Sequence, residues 1–125
     1  MEFNSNVPIY LQIADFIRRK IAGKEWHPGE QLPTVRQLGL DLKVNPNTVQ
    51  RAFTLLEQEG YVESKRTAGR FVTMDKKNLE KLKTELAYDE VLKFLVKMKE
   101  LGFEKDKVLL LVNEKWEDKD GREVK

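Results

Sequence analysis

Only Val44 and Asn45 separate two short amphipathic segments of this chain, and that brevity limits what the segments can do. The first opens at Thr34, which with Gln37 three residues on makes a capping box. Its Val35, Leu38 and Leu42 fall on one helical stripe that ends near Lys43. The second opens at Asn45, a good N-cap. Pro46 follows at the first helical position, where its missing N–H would have been unpaired in any case. Val49, Ala52, Phe53 and Leu56 then recur at i, i+3, i+4 and i+7, so all four must be buried on one side. So tight a connection between two such helices reads as a helix-turn-helix.

The stripe opposite the apolar one is Asn47, Gln50, Arg51 and Thr54. These side chains hydrogen-bond to base edges and phosphates, and a helix with one apolar face and one such face suits the major groove of DNA. Gly60 stops the helix. Tyr61–Ser64 and Arg70–Thr73 then flank Lys65-Arg66-Thr67-Ala68-Gly69, which predicts a hairpin with a cationic tip. A helix-turn-helix followed by a basic hairpin is a winged helix, with Lys65, Arg66 and Arg70 available to phosphates or the minor groove.

The runs Pro8-Ile9-Tyr10-Leu11-Gln12-Ile13, Pro28 to Leu38, Val44 to Ala52 and Leu56-Glu57-Gln58-Glu59-Gly60 together resemble the DNA-binding domain of GntR-family bacterial transcription regulators. The likeness spans roughly residues 8 to 73. The Asn-Pro-Asn-Thr-Val-Gln-Arg-Ala version, with only about fifty residues after the hairpin, is similar to the YtrA branch of that family. The resemblance implies that Arg36 reaches a base or phosphate and that Asn45 to Thr48 sit on the DNA. It also implies that Gly69 lets the wing backbone approach the minor groove. In the broader family arginines are common where Pro46 and Gln50 stand. Gln50 can bond bidentately to adenine, which is compatible with an altered sequence preference.

Ahead of the helix pair, Pro8 opens a helix whose Ile9, Ile13, Phe16, Ile17 and Ile21 recur at helical spacing, predicting a buried stripe that Gly23 ends. Trp26 to Gly29 make a turn. His27, the only histidine, has no cysteine or clustered carboxylates around it and reads as a surface residue; Trp26 reads as an aromatic at the edge of the core. The expected core is Ile13, Phe16, Leu38, Val49, Phe53 and Phe71.

Met74 to Asn78 read as a charged junction, dividing a DNA-binding domain, 1–74, from a helical segment, 75–125. In the second part Leu79, Leu82 and Leu86 begin an amphipathic helix that Ala87, Val91, Phe94, Met98 and Leu101 continue. The stripe rotates between Leu86 and Val91, so either the helix bends near Tyr88 and Asp89 or two partners share it. Gly102 stops it, and Val108, Leu109, Val112 and Trp116 form the stripe of a last short helix, although Val108 to Val112 also fit a strand. The tail from Asp118 reads as frayed. So small a segment cannot cover its own apolar faces. They either pack on the winged helix or, the preferred reading, form a dimerisation hairpin that sets two readers on two half-sites. The resemblance implies the same, a homodimer through the C-terminal helices. Nothing the size of an effector domain is present, so a ligand would have only a small cleft between helices or subunits.

Charge supports this division. Residues 1–74 hold ten Lys and Arg against eight Asp and Glu, and residues 75–125 hold thirteen against thirteen, so the net charge of +2 belongs to the first part. Cysteine is absent, which removes disulfides, thiolate metal sites and thiol nucleophiles. No apolar run reaches the ~18 residues of a membrane span, and the N-terminus lacks a signal pattern, so the expected location is the cytoplasm. With two serines, one turn histidine and scattered carboxylates, no catalytic site, cofactor or metal is expected.

The expected fold is mainly α with a small β-hairpin, a winged helix followed by a helical hairpin. The expected function is sequence-specific binding of a double-stranded, inverted-repeat operator by Thr34, Arg36, Asn45, Asn47, Thr48, Gln50, Arg51, Lys65, Arg66, Gly69 and Arg70. Resemblance to the YtrA branch implies repression of its own or a transporter operon. Two competing readings remain. Arg51 could instead pair with Glu57 or Glu63, and the winged helix could serve protein or RNA partners without a specific operator.

Overall fold

The computed structural model describes residues 1–117, and the charged tail from Asp118 lies outside them. The elements run α1 (Ile9–Ala22), α2 (Val35–Leu42), α3 (Pro46–Glu59), β1 (Val62–Lys65), β2 (Gly69–Val72), α4 (Lys76–Glu100) and α5 (Lys105–Trp116). The chain is therefore mainly helical with one two-stranded antiparallel sheet, paired in the register Val62↔Val72 to Lys65↔Gly69.

The local signals act as their chemistry requires. Thr34 and Gln37 form the reciprocal capping box, and the Asn45 side chain accepts from the Asn47 N–H ahead of α3. At the end of α3 the N–H of Gly60 meets Glu57 O and that of Tyr61 meets Leu56 O, with Gly60 at φ 86°, the Schellman geometry that glycine favours. The turn between α2 and α3 is tighter than sequence spacing conveys. Lys43 takes a left-handed φ of 59°, the Val44 N–H returns to Gly39 O, and a Cβ placed on Gly39 would lie 2.9 Å from Val44 O. Only glycine fits there, because the obstructing atom belongs to the backbone.

The core gathers Ile13, Ala14, Ile17 and Ile21 of α1 with Leu38 of α2 and Val49, Ala52, Phe53 and Leu56 of α3. Ile9 departs from the expected stripe. As the first residue of α1 it stays 43% exposed, and the fully buried stripe of the helix begins one turn later, at Ile13. Phe16 is half-buried, edge-on to Trp26, and Phe71 is half-buried too, whereas Leu32, Tyr61, Val62 and Val72 are fully enclosed. Their enclosure follows from a third extended stretch beside β2. Gly29 N–H donates to Val72 O, Val72 N–H to Glu30 O and Leu32 N–H to Arg70 O.

The expected junction from Met74 to Asn78 is shorter in the structure. The Asp75 carboxylate accepts from the Lys77 and Asn78 N–H groups and so starts α4 at Lys76, while the Asn78 amide donates to Gly60 O. Leu82 is 0% exposed within the winged-helix core, with Leu79 and Leu86 packed against it. One compact unit accordingly runs from Met1 to Leu86, beyond the end of the hairpin, and a second begins at Ala87.

In the second unit α4 continues without interruption to Glu100. Gly102 at φ 87° closes it, with the Phe103 N–H on Met98 O. The Val108–Val112 stretch is helical, which decides between the two readings of it. Val108 is buried and Leu95, Met98, Leu111 and Val112 are half-buried. Tyr88, Val91, Leu92, Val96, Leu101, Leu109 and Leu110 are exposed, and Trp116 is 73% exposed.

Candidate nucleic-acid interface

Helical geometry puts Asn47, Gln50, Thr54 and Glu57 on one stripe of α3, at i, i+3, i+7 and i+10, with Arg51 at its edge. Asn47, Gln50, Arg51 and Thr54 are exposed, while Val49, Ala52, Phe53 and Leu56 are buried on the other side, so the polar face is turned to solvent by the packing of the apolar one. Asn45 is exposed and Thr48 half-buried at the start of the helix. Within the stripe the Thr54 hydroxyl donates to Gln50 O at 3.0 Å and accepts from the Gln50 amide at 3.4 Å. That bond holds the Gln50 side chain along the helix.

Arg36 is exposed on α2 and shares a shallow hollow with Gly39, Leu40, Lys43, Val44 and Pro46, which brings it to the start of α3. Leu40, on the same rim, is 76% exposed. Thr34 is exposed and its hydroxyl accepts from the Gln37 N–H at 3.1 Å, the cap that the sequence predicts.

The wing is bonded to the far end of the same stripe. Glu57 Oε1 accepts from Ser64 Oγ at 2.9 Å and from Arg70 Nε at 2.6 Å, and the Arg70 guanidinium also lies over the Phe53 ring. Arg70 is 22% exposed on its side chain and turned inward, unlike the other two cations of the hairpin. Lys65 Nζ stands 4.7 Å from the centroid of the Phe71 ring, and Arg66 is exposed in the turn. Thr67 at φ 65° and Gly69 at φ 110° shape that turn. A Cβ on Gly69 would come within 2.9 Å of the Gln31 amide nitrogen, which donates to Ala68 O. The Gln31 side-chain end can shift, so it is the φ of 110°, which L side chains rarely adopt, that calls for glycine here.

Arg51 has neither of the carboxylate partners considered for it. Glu57 is taken by Ser64 and Arg70, and the Arg51 guanidinium carbon lies 3.9 Å from the centroid of the Tyr10 ring on α1. Gly39, Tyr10 and Glu57 are the residues that spacing alone missed. A glycine inside an eight-residue helix was the available signal for the first, whereas the other two act across the fold.

Among the described residues one titrating group is strongly displaced. Tyr61, 1% exposed, has its phenol pushed up to about 12, first by burial and then by its hydrogen bond to Glu85 and the negative charge of that carboxylate.

The sequence profile of bacterial regulatory proteins of the gntR family matches residues 9–72. The chain is 42% identical over 108 residues to the uncharacterized HTH-type transcriptional regulator YhcF of Bacillus subtilis, covering 86% of this chain and 89% of that protein. It is 37% identical over 73 residues to the HTH-type transcriptional repressor YtrA of the same organism, covering 58% of this chain and 56% of the repressor. Among solved structures, a GntR family transcriptional regulator from Listeria monocytogenes superposes with a TM-score of 0.80 at 34% identity, over 90% of this chain and 98% of that one.

Proposed function

Because the chain belongs to the GntR family and is a DNA-binding transcription regulator rather than an enzyme, we propose that it represses an operon, its own or that of a transporter, by binding an inverted-repeat operator as a homodimer in the cytoplasm. One observation carries the reading most directly. The exposed stripe of α3 is made of amide, hydroxyl and guanidinium side chains, and the basic hairpin is tethered to the continuation of that stripe through Glu57. Reader and wing therefore face one surface, as a groove-bound helix with a flanking phosphate contact requires. The repressor sense draws on the likeness to the Bacillus subtilis repressor YtrA.

Asn47 and Gln50 are assigned to base edges, where amide side chains pair bidentately with adenine. Asn45 and Thr48, beside them at the helix start, contact backbone or base, and the Thr34 terminus of α2 meets a phosphate through its unpaired N–H groups. Arg36, Arg51, Lys65 and Arg66 supply cations to phosphates. Arg70 works from inside, holding the wing against α3, with Gly69 giving the tip its turn.

The dimer is assigned to the helices beyond Leu86, where the exposed Val91, Leu92, Val96, Leu109, Leu110 and Trp116 offer more apolar surface than a lone hairpin hides. Selection from a pool of random duplexes tests the reading. An enriched inverted repeat supports it, and enrichment of no sequence would leave a protein- or RNA-binding module instead. Sedimentation of the full chain at micromolar concentration tests the dimer, which a monomer would remove.

A further inference from the structure

We propose that Tyr10 is a positioning residue for DNA recognition, holding Arg51 in its binding posture before DNA arrives; the inference rests on the proposed role of α3 as reader. The guanidinium carbon of Arg51 sits 3.9 Å from the centroid of the Tyr10 ring, close enough for the charged plane to lie against the π face. Tyr10 is half-buried in the first turn of α1 and Arg51 is exposed on α3, so a rigid aromatic from one helix supports a flexible cation on another.

The geometry of the arginine side chain makes this support useful. A guanidinium has five N–H donors, all in its own plane, and stacking uses only the faces of that plane. Seated on Tyr10, the side chain keeps its donor edge available for a phosphate or a base. A carboxylate partner would have consumed that edge. Glu57, one of the two carboxylates considered for it, is instead occupied by Ser64 and Arg70, and among the described residues no acceptor meets the Arg51 edge. Ordering a long side chain is a cost that binding otherwise bears, and a side chain already ordered in the free protein escapes it.

The test uses the full chain and the duplex enriched from a random pool by the unaltered protein. If no duplex is enriched, the reader assignment fails before Tyr10 is tested. With one in hand, Tyr10→Leu should weaken its binding by about twofold to thirtyfold, the fold-change of one cation–π contact. Tyr10→Phe, which keeps the ring, should bind within about twofold of the unaltered protein. In an Arg51→Ala background Tyr10→Leu should cost nothing more, because the residue acts through the arginine.

Equal losses from Tyr10→Leu with and without Arg51 would overturn the proposal, as would a Tyr10→Phe loss as large as that of Tyr10→Leu, which would assign the effect to the hydroxyl. A readout independent of DNA keeps the proposal open to refutation even if Tyr10→Leu folds poorly. The Arg51 side-chain protons of the free protein should show an upfield ring-current shift by nuclear magnetic resonance, kept in Tyr10→Phe. Unshifted protons in the unaltered protein would overturn the proposal.

Discussion

Gly39→Ala sets helix propensity against packing, and the structure decides the sign. In an exposed helix interior alanine is better than glycine by about 1 kcal/mol, so propensity alone predicts stabilisation. The new methyl would lie 2.9 Å from Val44 O and 3.4 Å from Pro46 Cγ. Neither is the loose end of a flexible side chain. The opposing segment cannot retreat cheaply either, because the Val44 N–H is bonded to Gly39 O at 2.9 Å and that bond closes the turn. Overpacking of a tight site costs typically 1–3 kcal/mol, and breaking the closing bond a further ~1 kcal/mol. The balance is a net destabilisation of about 1–3 kcal/mol after the propensity gain is subtracted. Urea unfolding of the variant should show a lowered midpoint with an unchanged slope. Leu40→Ala, at the neighbouring 76% exposed position, should stay within about 0.5 kcal/mol and serves as the control. A Gly39→Ala midpoint equal to or above that of the unaltered protein would refute this reasoning. Operator affinity should fall with the same substitution, since the turn sets where α3 begins.

The attachment of α4 is testable by Leu82→Ala, which should cost about 2–5 kcal/mol in denaturant unfolding, as for a fully enclosed leucine. A fragment ending at Thr73 should accordingly be less stable than one ending beyond Leu86, and equal midpoints would deny Leu82 its place in the core. The raised Tyr61 phenol predicts a loss of stability in alkali. The folded state keeps the proton to about pH 12 while the unfolded state releases it near pH 10, so the contribution is complete below pH 10 and disappears as pH climbs through that window. Tyr61→Phe should flatten this part of the stability curve, and identical curves would contradict the shift. Replacing Lys65 and Arg66 by alanine should weaken specific and non-specific DNA binding alike and lower the salt slope by up to about 0.9 for each phosphate no longer neutralised. Arg70→Ala should alter the slope less than either, because its charge is already met by Glu57; a larger change would place Arg70 on the phosphates.

The starts and stops of α1 to α3, the helix-turn-helix and the hairpin were readable from sequence because each is governed within a few residues, whereas α4 begins at Lys76, inside the expected junction. A cap chooses its own N–H, a stripe repeats every turn, and a glycine ends a helix where it stands. The polar face of α3 was readable for the same reason, as the complement of its apolar stripe. Which way the cations turn was not. Arg70 and Lys65 are similar letters in one hairpin, yet Arg70 folds onto Glu57 and Phe53 while Lys65 stays exposed over Phe71. Arg51 chose Tyr10, forty-one residues away, over the glutamates near it in sequence. Leu82 looked like part of a separate hairpin because its periodicity reports only that one face must be covered. The winged-helix core supplied the cover. Periodicity and capping are local energies that a sequence displays directly. The partner of a buried face or a long charged side chain depends on which surfaces the completed chain brings together, and only the tertiary structure decides that.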